Sequence, residues 1–578
     1  MKRWFKYIKP YIPFFILGPL CMLVEVAGEA VMPRLLGVII NHANAGTLTS
    51  GESLGIMGLM ILIAVVMMAG GVGGAFFASK ASVNFAADLR ADVYSKIQAF
   101  SFENIDKFST GSLVTRLTND VTQMQNMINV MMRMALRAPD MMVASLVMAI
   151  LLKPKLSAVF AVSIPVMLVA VGFIIRTGFP RFSVMQTKLD RLNSTVQENV
   201  TNVRVVKSFV REDHETEKFH AANKDLKDSG ISAAKVMIFM QPVMTLIMNV
   251  TVVAVVLIGS KLVLKQPAEM LPGDLSSFVM YVTQILMSLV MVTFMLTFSS
   301  RALASARRIR EVLDEKITLS DDGAKEKELK VKSGEIEFRN VSFRYYKNSE
   351  DKVLDGISLK IPAGSTVGVI GSTGCGKTTL VSMIPRLYDC DEGEVLVDGV
   401  DVRDYSLVNL RDGIGMVLQK NTLFSGSVAE NLRWGDEEAD DETVREMADY
   451  AQADKFISSF KEGYDTQIEH GGANVSSGQK QRLCIARALL KKPKILILDD
   501  STSAVDTATE AMIRRAFREK LEGSTKIIIA QRISSVMEAD MIVVMNDGRI
   551  TGVGSHEQLL SDNVEYREIY ESQTGGSN

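Results

Sequence analysis

The sequence carries almost no net charge: 64 Lys and Arg against 66 Asp and Glu leave −2 over 578 residues. No basic block interrupts that balance, which argues against a nucleic-acid partner. Cysteine is scarce, with four residues at 21, 375, 390 and 484, and no two of them form a C-x-x-C pair. Neither a zinc site nor a redox motif is indicated, and three of the four lie in the C-terminal half, which fits a reducing cytoplasm. No small-residue cleavage site follows the basic start at Lys2, Arg3, Lys6 and Lys9. The first apolar region therefore reads as an uncleaved membrane helix rather than a signal peptide. No internal repeat is evident. What is present is length beyond one compact domain and a strong asymmetry. Long apolar stretches fill the first half, which holds 26 of the 33 Met before residue 310. From about Gly334 the chain reads as a soluble α/β protein.

A helix needs roughly 20 apolar residues to cross a bilayer. Four stretches meet this without a charge: 54–79, 156–175, 236–260 and 275–300. Two more carry charges: about 12–40, with Glu25, Glu29 and Arg34, and about 125–152, with Arg133, Arg137 and Asp140. Six spans are predicted. The outer connections 41–53, 153–155 and 261–274 hold only Lys153, Lys155, Lys261 and Lys265, whereas the inner segments hold about two dozen Lys and Arg. That bias places the N-terminus and the C-terminal half in the cytoplasm. The inner loops are long and helical in pattern, so the membrane helices are expected to continue into the cytoplasm. Residues 316–333, polar and charged, read as a linker. The expected domains are 1–315 (transmembrane), 316–333 (linker) and 334–578 (nucleotide-binding).

Residues 366–380, TVGVIGSTGCGKTTL, run from a β-rich segment through G-x-x-x-x-G-K-T into an apolar helix start. This is the Walker A pattern in its strand–loop–helix context. Gly371, Gly374 and Gly376 let the backbone turn its N–H groups toward phosphate oxygens. Lys377 reaches the β/γ phosphates and the Thr378 hydroxyl can ligate Mg²⁺. Gly371, Ser372, Thr373, Gly374, Cys375, Gly376, Lys377, Thr378 and Thr379 are the nucleotide-binding candidates of this loop. In 494–506, KILILDDSTSAVD, the apolar run 495–498 reads as a buried parallel strand ending in Asp499, a candidate Mg²⁺ ligand. Between the two, NVSSGQKQRLCIARALL at 474–490 opens an amphipathic helix at a Ser-Ser-Gly turn. That turn is either an anion-binding geometry or a plain helix N-cap.

These three motifs, in this order behind six membrane spans, resemble the ATP-binding cassette (ABC) transporters of the exporter type, over essentially all 578 residues. The resemblance implies an all-α six-helix transmembrane domain plus a cytoplasmic α/β P-loop NTPase, with ATP and Mg²⁺ as cofactors. It implies that Tyr345 in VSFRYY, rather than Tyr346, stacks on adenine. Gln419 in MVLQKNTLF matches the Q-loop glutamine, which touches Mg²⁺ together with Thr378 and Asp499. Ser476, Ser477, Gly478 and Gln479 match the signature motif, which faces ATP held by the opposite subunit. Ser503 to Asp506 match the D-loop. Segments 103–108 and 207–212 resemble the inner-loop turns that dock on the ATP domains and turn their closure into helix movement.

The departures from the family pattern are specific. Asp500 stands where Glu normally orients or deprotonates the attacking water, and Gln531 stands where His is the switch. VSSGQ replaces L-S-G-G-Q, and Glu469 and His470 occupy a usual Gly-Glu pair. An Asp carboxylate sits ~1.5 Å further from the water than Glu, and misplacement of that order costs about 10²-fold in rate. Glutamine donates a hydrogen bond but carries no proton as His does. Both changes spare ATP binding and impair hydrolysis.

The expected protein is half of a heterodimeric exporter in the plasma or inner membrane. Its partner is a different half-transporter with an intact catalytic Glu and switch His. The expected substrate is a hydrophobic or amphipathic small molecule, for which Met-rich helices are suited. A lipid flippase, a slow homodimeric exporter and a regulatory subunit that pumps nothing are the alternatives. Glu25 and Glu29, four apart on one helix face, are either a negative patch favouring cationic substrates or ion-pair partners of Arg34, Arg133 or Arg137.

Overall fold

The computed structural model describes residues 2–47, 49–265, 269–347, 349–501 and 504–574, with side chains for all of these except Lys2 and residues 293–301. The chain forms two compact units: Met1–Gln98 with Gly111–Asp314, and Ala99–Thr110 with Glu315–Asn578.

The first unit is helical. Among the described residues six helices are long and apolar enough to cross a membrane: Arg3–Asn44, Ser50–Gln98, Thr110–Leu152, Pro154–Thr201, Glu212–Leu264 and Pro272–Val292. They coincide with the six predicted spans. Several run far beyond bilayer length, Ser50–Gln98 over 49 residues and Phe160–Thr201 over 42. The third and fifth are broken, at Leu136 and at Phe239. Pro139 and Pro242 follow the breaks. Proline has no N–H and its ring clashes with the carbonyl four residues back, here Ala135 and Ile238. A π-turn over Arg116–Asp120 further deforms the third helix; such turns concentrate at functional positions.

Pro33 frees a carbonyl in the same way, that of Glu29, and Gln284 Nε2 donates to it at 3.0 Å. On the same side Tyr281 donates to the Ala30 carbonyl (2.9 Å) and Ser277 to that of Pro33 (2.6 Å). Arg34 and Asn41 both reach Asp274, at 2.8 and 3.2 Å. The first and last membrane helices are thus joined by side chains satisfying backbone groups that lipid cannot.

The second unit is built on a six-stranded sheet. Its order is Arg549–Gly554, Met541–Asn546, Thr366–Gly371, Thr525–Ile529, Ile495–Asp499, Ile414–Val417. All pairs are parallel except the first. Every residue of Ile495–Asp499 and Thr525–Ile529 is buried, as central parallel strands covered on both faces require. A four-stranded antiparallel sheet, with Ile336–Phe343 between Leu354–Ile361 and Glu392–Val397, lies in the same unit. Residues within 316–333 also join this unit: the Asp321 carboxylate accepts from Leu407 N (2.9 Å) and the Lys327 carbonyl from Asn409 Nδ2 (2.7 Å).

Ala99–Thr110 joins the second unit through the short helix Phe102–Lys107, capped by Ser101. Asn104 Nδ2 donates to the Lys316 carbonyl (2.8 Å), and the Ser101 and Thr318 hydroxyls lie 2.6 Å apart.

Candidate functional site

The sheet order decides what meets. Thr525–Ile529 runs between the strand that feeds the phosphate loop and the strand that ends in Asp499, with Ile529 in register with both Val369 and Asp499. Gln531 therefore emerges between the two loops. The edge strand Ile414–Val417 pairs with Ile495–Asp499 and delivers Gln419 to the other side. All four loops leave the carboxyl ends of parallel strands, the position where α/β sheets bind ligands.

The phosphate loop is shaped by its glycines. Gly374 has φ +88 and a Cβ there would meet nothing within 4 Å, so its exposed face is open. Gly376 has φ +97, and its Cβ would fall 2.7 Å from the Val353 carbonyl. Ser372, Thr373 and Cys375 complete the turn, with Cys375 buried. Lys377 Nζ folds onto the loop and donates to the Gly371 and Ser372 carbonyls at 2.9 and 2.7 Å. An ammonium so placed is an exchangeable donor for phosphate oxygens.

Thr378 Oγ1 donates to Asp499 Oδ1 at 3.0 Å. Asp499 is 1% exposed, and its Oδ2 has no hydrogen-bond partner among the described residues. Burial holds this carboxyl above the usual carboxylate range, opposed by the Thr378 hydrogen bond. A hydroxyl beside a buried carboxylate with an orphaned oxygen fits a hard divalent cation such as Mg²⁺.

Asp500 differs. Its backbone is left-handed, φ +47, and its N–H donates to the Ile529 carbonyl at 3.0 Å. Asp tolerates this conformation, which carries strain typical of functional loops. Gln531 Nε2 donates to Asp500 Oδ2 at 2.9 Å, and Gln419 also faces this carboxylate. Burial raises the Asp500 pKa, and the two glutamines oppose that rise.

Tyr345, 39% exposed, bonds through its hydroxyl to Thr379 Oγ1 (3.0 Å) and meets Tyr388 edge-on at 5.3 Å, whereas Tyr346 is 80% exposed. Tyr388 donates in turn to Asp106 of the Phe102–Lys107 helix at 2.7 Å. Tyr388 does not stand out in the sequence, whereas Asp106 falls in the 103–108 turn already singled out there. Gln573 was also invisible there. Its Nε2 donates to the Gln531 carbonyl and its Oε1 accepts from Ile533 N, both at 2.8 Å, clamping the backbone of the switch segment.

In the signature segment Ser476 caps the helix Ser477–Leu490 in a reciprocal box with Gln479 (3.3 and 2.9 Å). Ser476 and Ser477 are exposed. A Cβ on Gly478 would fall 2.8 Å from the Ala504 carbonyl, so this glycine also serves packing within the chain. Ser503 lies outside the described residues; Ala504 N donates to Gln481 Oε1 (3.1 Å) and Asp506 caps Thr507–Lys520. His470 is exposed in a short turn, and nothing in the structure explains its departure. Of the two inner-loop turns, the first belongs to the nucleotide-binding unit, while Phe209 and Val210 of the second are 73% and 80% exposed.

In the membrane unit Glu25 and Glu29 both pair with Arg137, at 3.1 and 2.7 Å. Ion pairing, one of the two readings of these acids, is what the structure contains. Arg34 is taken by Asp274 instead.

Two family descriptions match the sequence: ABC transporter transmembrane region over residues 15–289, and ABC transporter over residues 354–503. The ABC transporter ATP-binding protein YfiB of Bacillus subtilis (strain 168) is 37% identical over 577 residues, covering 100% of this chain and 99% of the relative. A fatty acid ABC transporter ATP-binding/permease protein of Mycobacterium bovis is 35% identical over 481 residues, 83% of this chain and 75% of the relative. Among solved structures, a bacterial Atm1-family ABC exporter with ATP bound aligns with TM-score 0.78 at 24% identity, covering 99% of both chains, a likeness of fold.

Proposed function

Since this chain belongs to the ABC transporter family, and pairs an exporter-type membrane domain with an ATP-binding domain, we propose that it is the half of a heterodimeric exporter whose own ATP site binds nucleotide and hydrolyses it poorly. It is a multi-pass membrane protein with a cytoplasmic nucleotide-binding domain and an ABC transport ATPase, and such exporters act as dimers. The proposed division is 1–315, 316–333 and 334–578. Tyr345 stacks on adenine, the loop from Gly371 to Thr379 holds the phosphates, and Thr378, Gln419 and Asp499 hold Mg²⁺, which neutralises phosphate charge when bound.

The observation that carries this reading is the hydrogen bond from Gln531 to Asp500, 2.9 Å long. A general base must reach the water whose proton it takes. Here the carboxylate is one methylene short and one of its oxygens already accepts from the Gln531 amide. That amide carries no proton away. A homodimer would hold two such sites, whereas a partner with Glu and His at these positions supplies a working one. That working site would combine the partner's Walker motifs with Ser476, Ser477, Gly478 and Gln479 of this chain. Phe209 and Val210, exposed here, suit docking on the partner.

The proposed substrate is a hydrophobic or amphipathic compound of the multidrug kind. Lipid or fatty acid export is the second reading, favoured by the Mycobacterium relative named for fatty acid. The purified chain alone, in sealed vesicles with ATP, tests the assembly. Little ATP-driven transport is expected, rising when the second half is co-expressed. Robust transport by the homodimer refutes the heterodimer.

A further inference from the structure

The last helix of the chain, Val564–Thr574, is tied at both ends to elements around the ATP site. Near its start Tyr566 is fully buried, its hydroxyl 2.7 Å from His556 Nδ1. Beside it Glu565 accepts from Asn546 Nδ2 at 2.8 Å. Asn546 closes the strand Met541–Asn546, whose Met545 is in register with Gly371 of the phosphate loop. In the last turn of the helix Gln573 Nε2 donates to the Gln531 carbonyl and Gln573 Oε1 accepts from Ile533 N, both at 2.8 Å. We infer that Gln573 is a positioning residue of the ATPase site: it holds the switch backbone where the Gln531 side chain reaches Asp500, and so sets the rate of hydrolysis while leaving nucleotide binding alone. The inference rests on the proposed reading that Gln531 occupies the carboxylate assigned to the attack.

The switch backbone has few other tethers. Thr525–Ile529 ends its pairing at Ala530 N, which donates to the Val369 carbonyl at 3.3 Å. The next turn, Ile533–Ser535, starts at Arg532 without a side-chain cap. Among the described residues no side chain other than Gln573 bonds the backbone of residues 530–533. The Ile533 N–H is a donor that a helix start leaves without an internal partner. The Gln531 carbonyl lies beyond the end of its strand. A primary amide answers both, because it offers donor and acceptor side by side. Gln573 is itself exposed, so its contribution here is these two hydrogen bonds and not core packing. Misplacing a group of a catalytic site by about 1 Å costs on the order of 10²-fold in rate. Two short bonds on the backbone that carries Gln531 therefore bear on turnover, although Gln573 touches neither Asp500 nor the phosphate loop.

Single-turnover ATP hydrolysis and photolabelling by an ATP analogue are measured on the purified full chain in lipid nanodiscs. Gln531→Ala releases Asp500 and is expected to raise the rate about fivefold, the span of one net hydrogen bond. Gln573→Leu keeps the size and loses both bonds. It should reproduce that rise and leave photolabelling affinity within about twofold of the unaltered chain, a change in rate without a change in binding. Added to Gln531→Ala it should do nothing more, since the two residues act as one unit. Gln573→Glu keeps the acceptor for Ile533 N and loses the donor to Gln531, and should fall between the unaltered chain and Gln573→Leu. Hydrogen exchange of the peptide that carries Ile533 reads the clamp without turnover and should be faster in Gln573→Leu. Unchanged exchange overturns the inference. So does a Gln573→Leu rate equal to the unaltered chain's, an effect that adds to that of Gln531→Ala, or a loss of photolabelling. A rate that Gln531→Ala leaves unaltered also overturns it, because Gln573 would have nothing to act through. A fall in rate in Gln531→Ala, matched by Gln573→Leu, supports the clamp and sinks only the reading of Gln531 as an obstacle to Asp500.

Discussion

Asp499 and Asp500 are adjacent in the sequence and opposite in circumstance. Asp499 ends a fully buried strand, takes one hydrogen bond from Thr378 and keeps an oxygen without a partner. Asp500 has turned into a left-handed conformation and accepts a hydrogen bond from the Gln531 side chain. The first carboxylate keeps an acceptor of the kind a hard cation uses; the second is already answered by protein. On the proposed reading, binding and hydrolysis use neighbouring groups of one pocket and are separable: the groups assigned to nucleotide are in place, and the carboxylate assigned to the attack is held by Gln531.

The contrast breaks most visibly if the second half is repaired. Asp500→Glu with Gln531→His should raise hydrolysis at this chain's own site about 10²-fold or more, the span a general base contributes. The measurement is single-turnover ATP hydrolysis with the partner's catalytic Glu changed to Gln. No gain would mean that something other than these two side chains limits the site. Striking the binding half is next in size. Lys377→Ala removes the cation facing the phosphates and should weaken photolabelling by an ATP analogue roughly 10- to 100-fold, the worth of charge-assisted hydrogen bonds. Unchanged labelling would refute the site.

The smallest effect concerns Asp499 without ligand. Burial raises its pKa above the ordinary 3.8. The stability linked to its protonated form is fully present below that ordinary value and is lost as pH rises through the raised one. At neutral pH the nucleotide-free chain therefore carries a buried charge that Asp499→Asn removes. The variant should unfold about 2–4 °C higher at pH 7, the gap closing as pH falls toward 4. A gap that stays constant with pH would show that the charge is not its cause.

Much of this pocket was legible beforehand because it is local. G-x-x-x-x-G-K-T fixes backbone, ammonium and hydroxyl within eight residues, and an apolar run ending in Asp announces a buried strand. The hydrogen bond from Gln531 to Asp500 was not legible, since it depends on Thr525–Ile529 inserting between two other strands. The helix breaks at Leu136 and Phe239 were implicit in Pro139 and Pro242. The choice of Arg137 over Arg34 for Glu25 and Glu29 was not. It is settled by Asp274, far off in sequence, taking Arg34. Gln573 and Tyr388 carry no local signal, because each matters only through a partner that the fold brings to it.

The helix Phe102–Lys107 also has a history in time. Tyr388 and Asp106, joined by a hydrogen bond, are 282 positions apart in the chain. A ribosome adds about 5–20 residues each second, so Asp106 leaves it on the order of tens of seconds before Tyr388 exists. During that interval the helix has no folded surface to meet. The same separation means that the nucleotide-binding unit is not a continuous length of polypeptide. A fragment starting at Glu315 would expose the Tyr388 hydroxyl, the Thr318 hydroxyl and the Lys316 carbonyl that residues Ser101, Asn104 and Asp106 satisfy. The nucleotide-binding unit is finished by a piece of chain translated long before it.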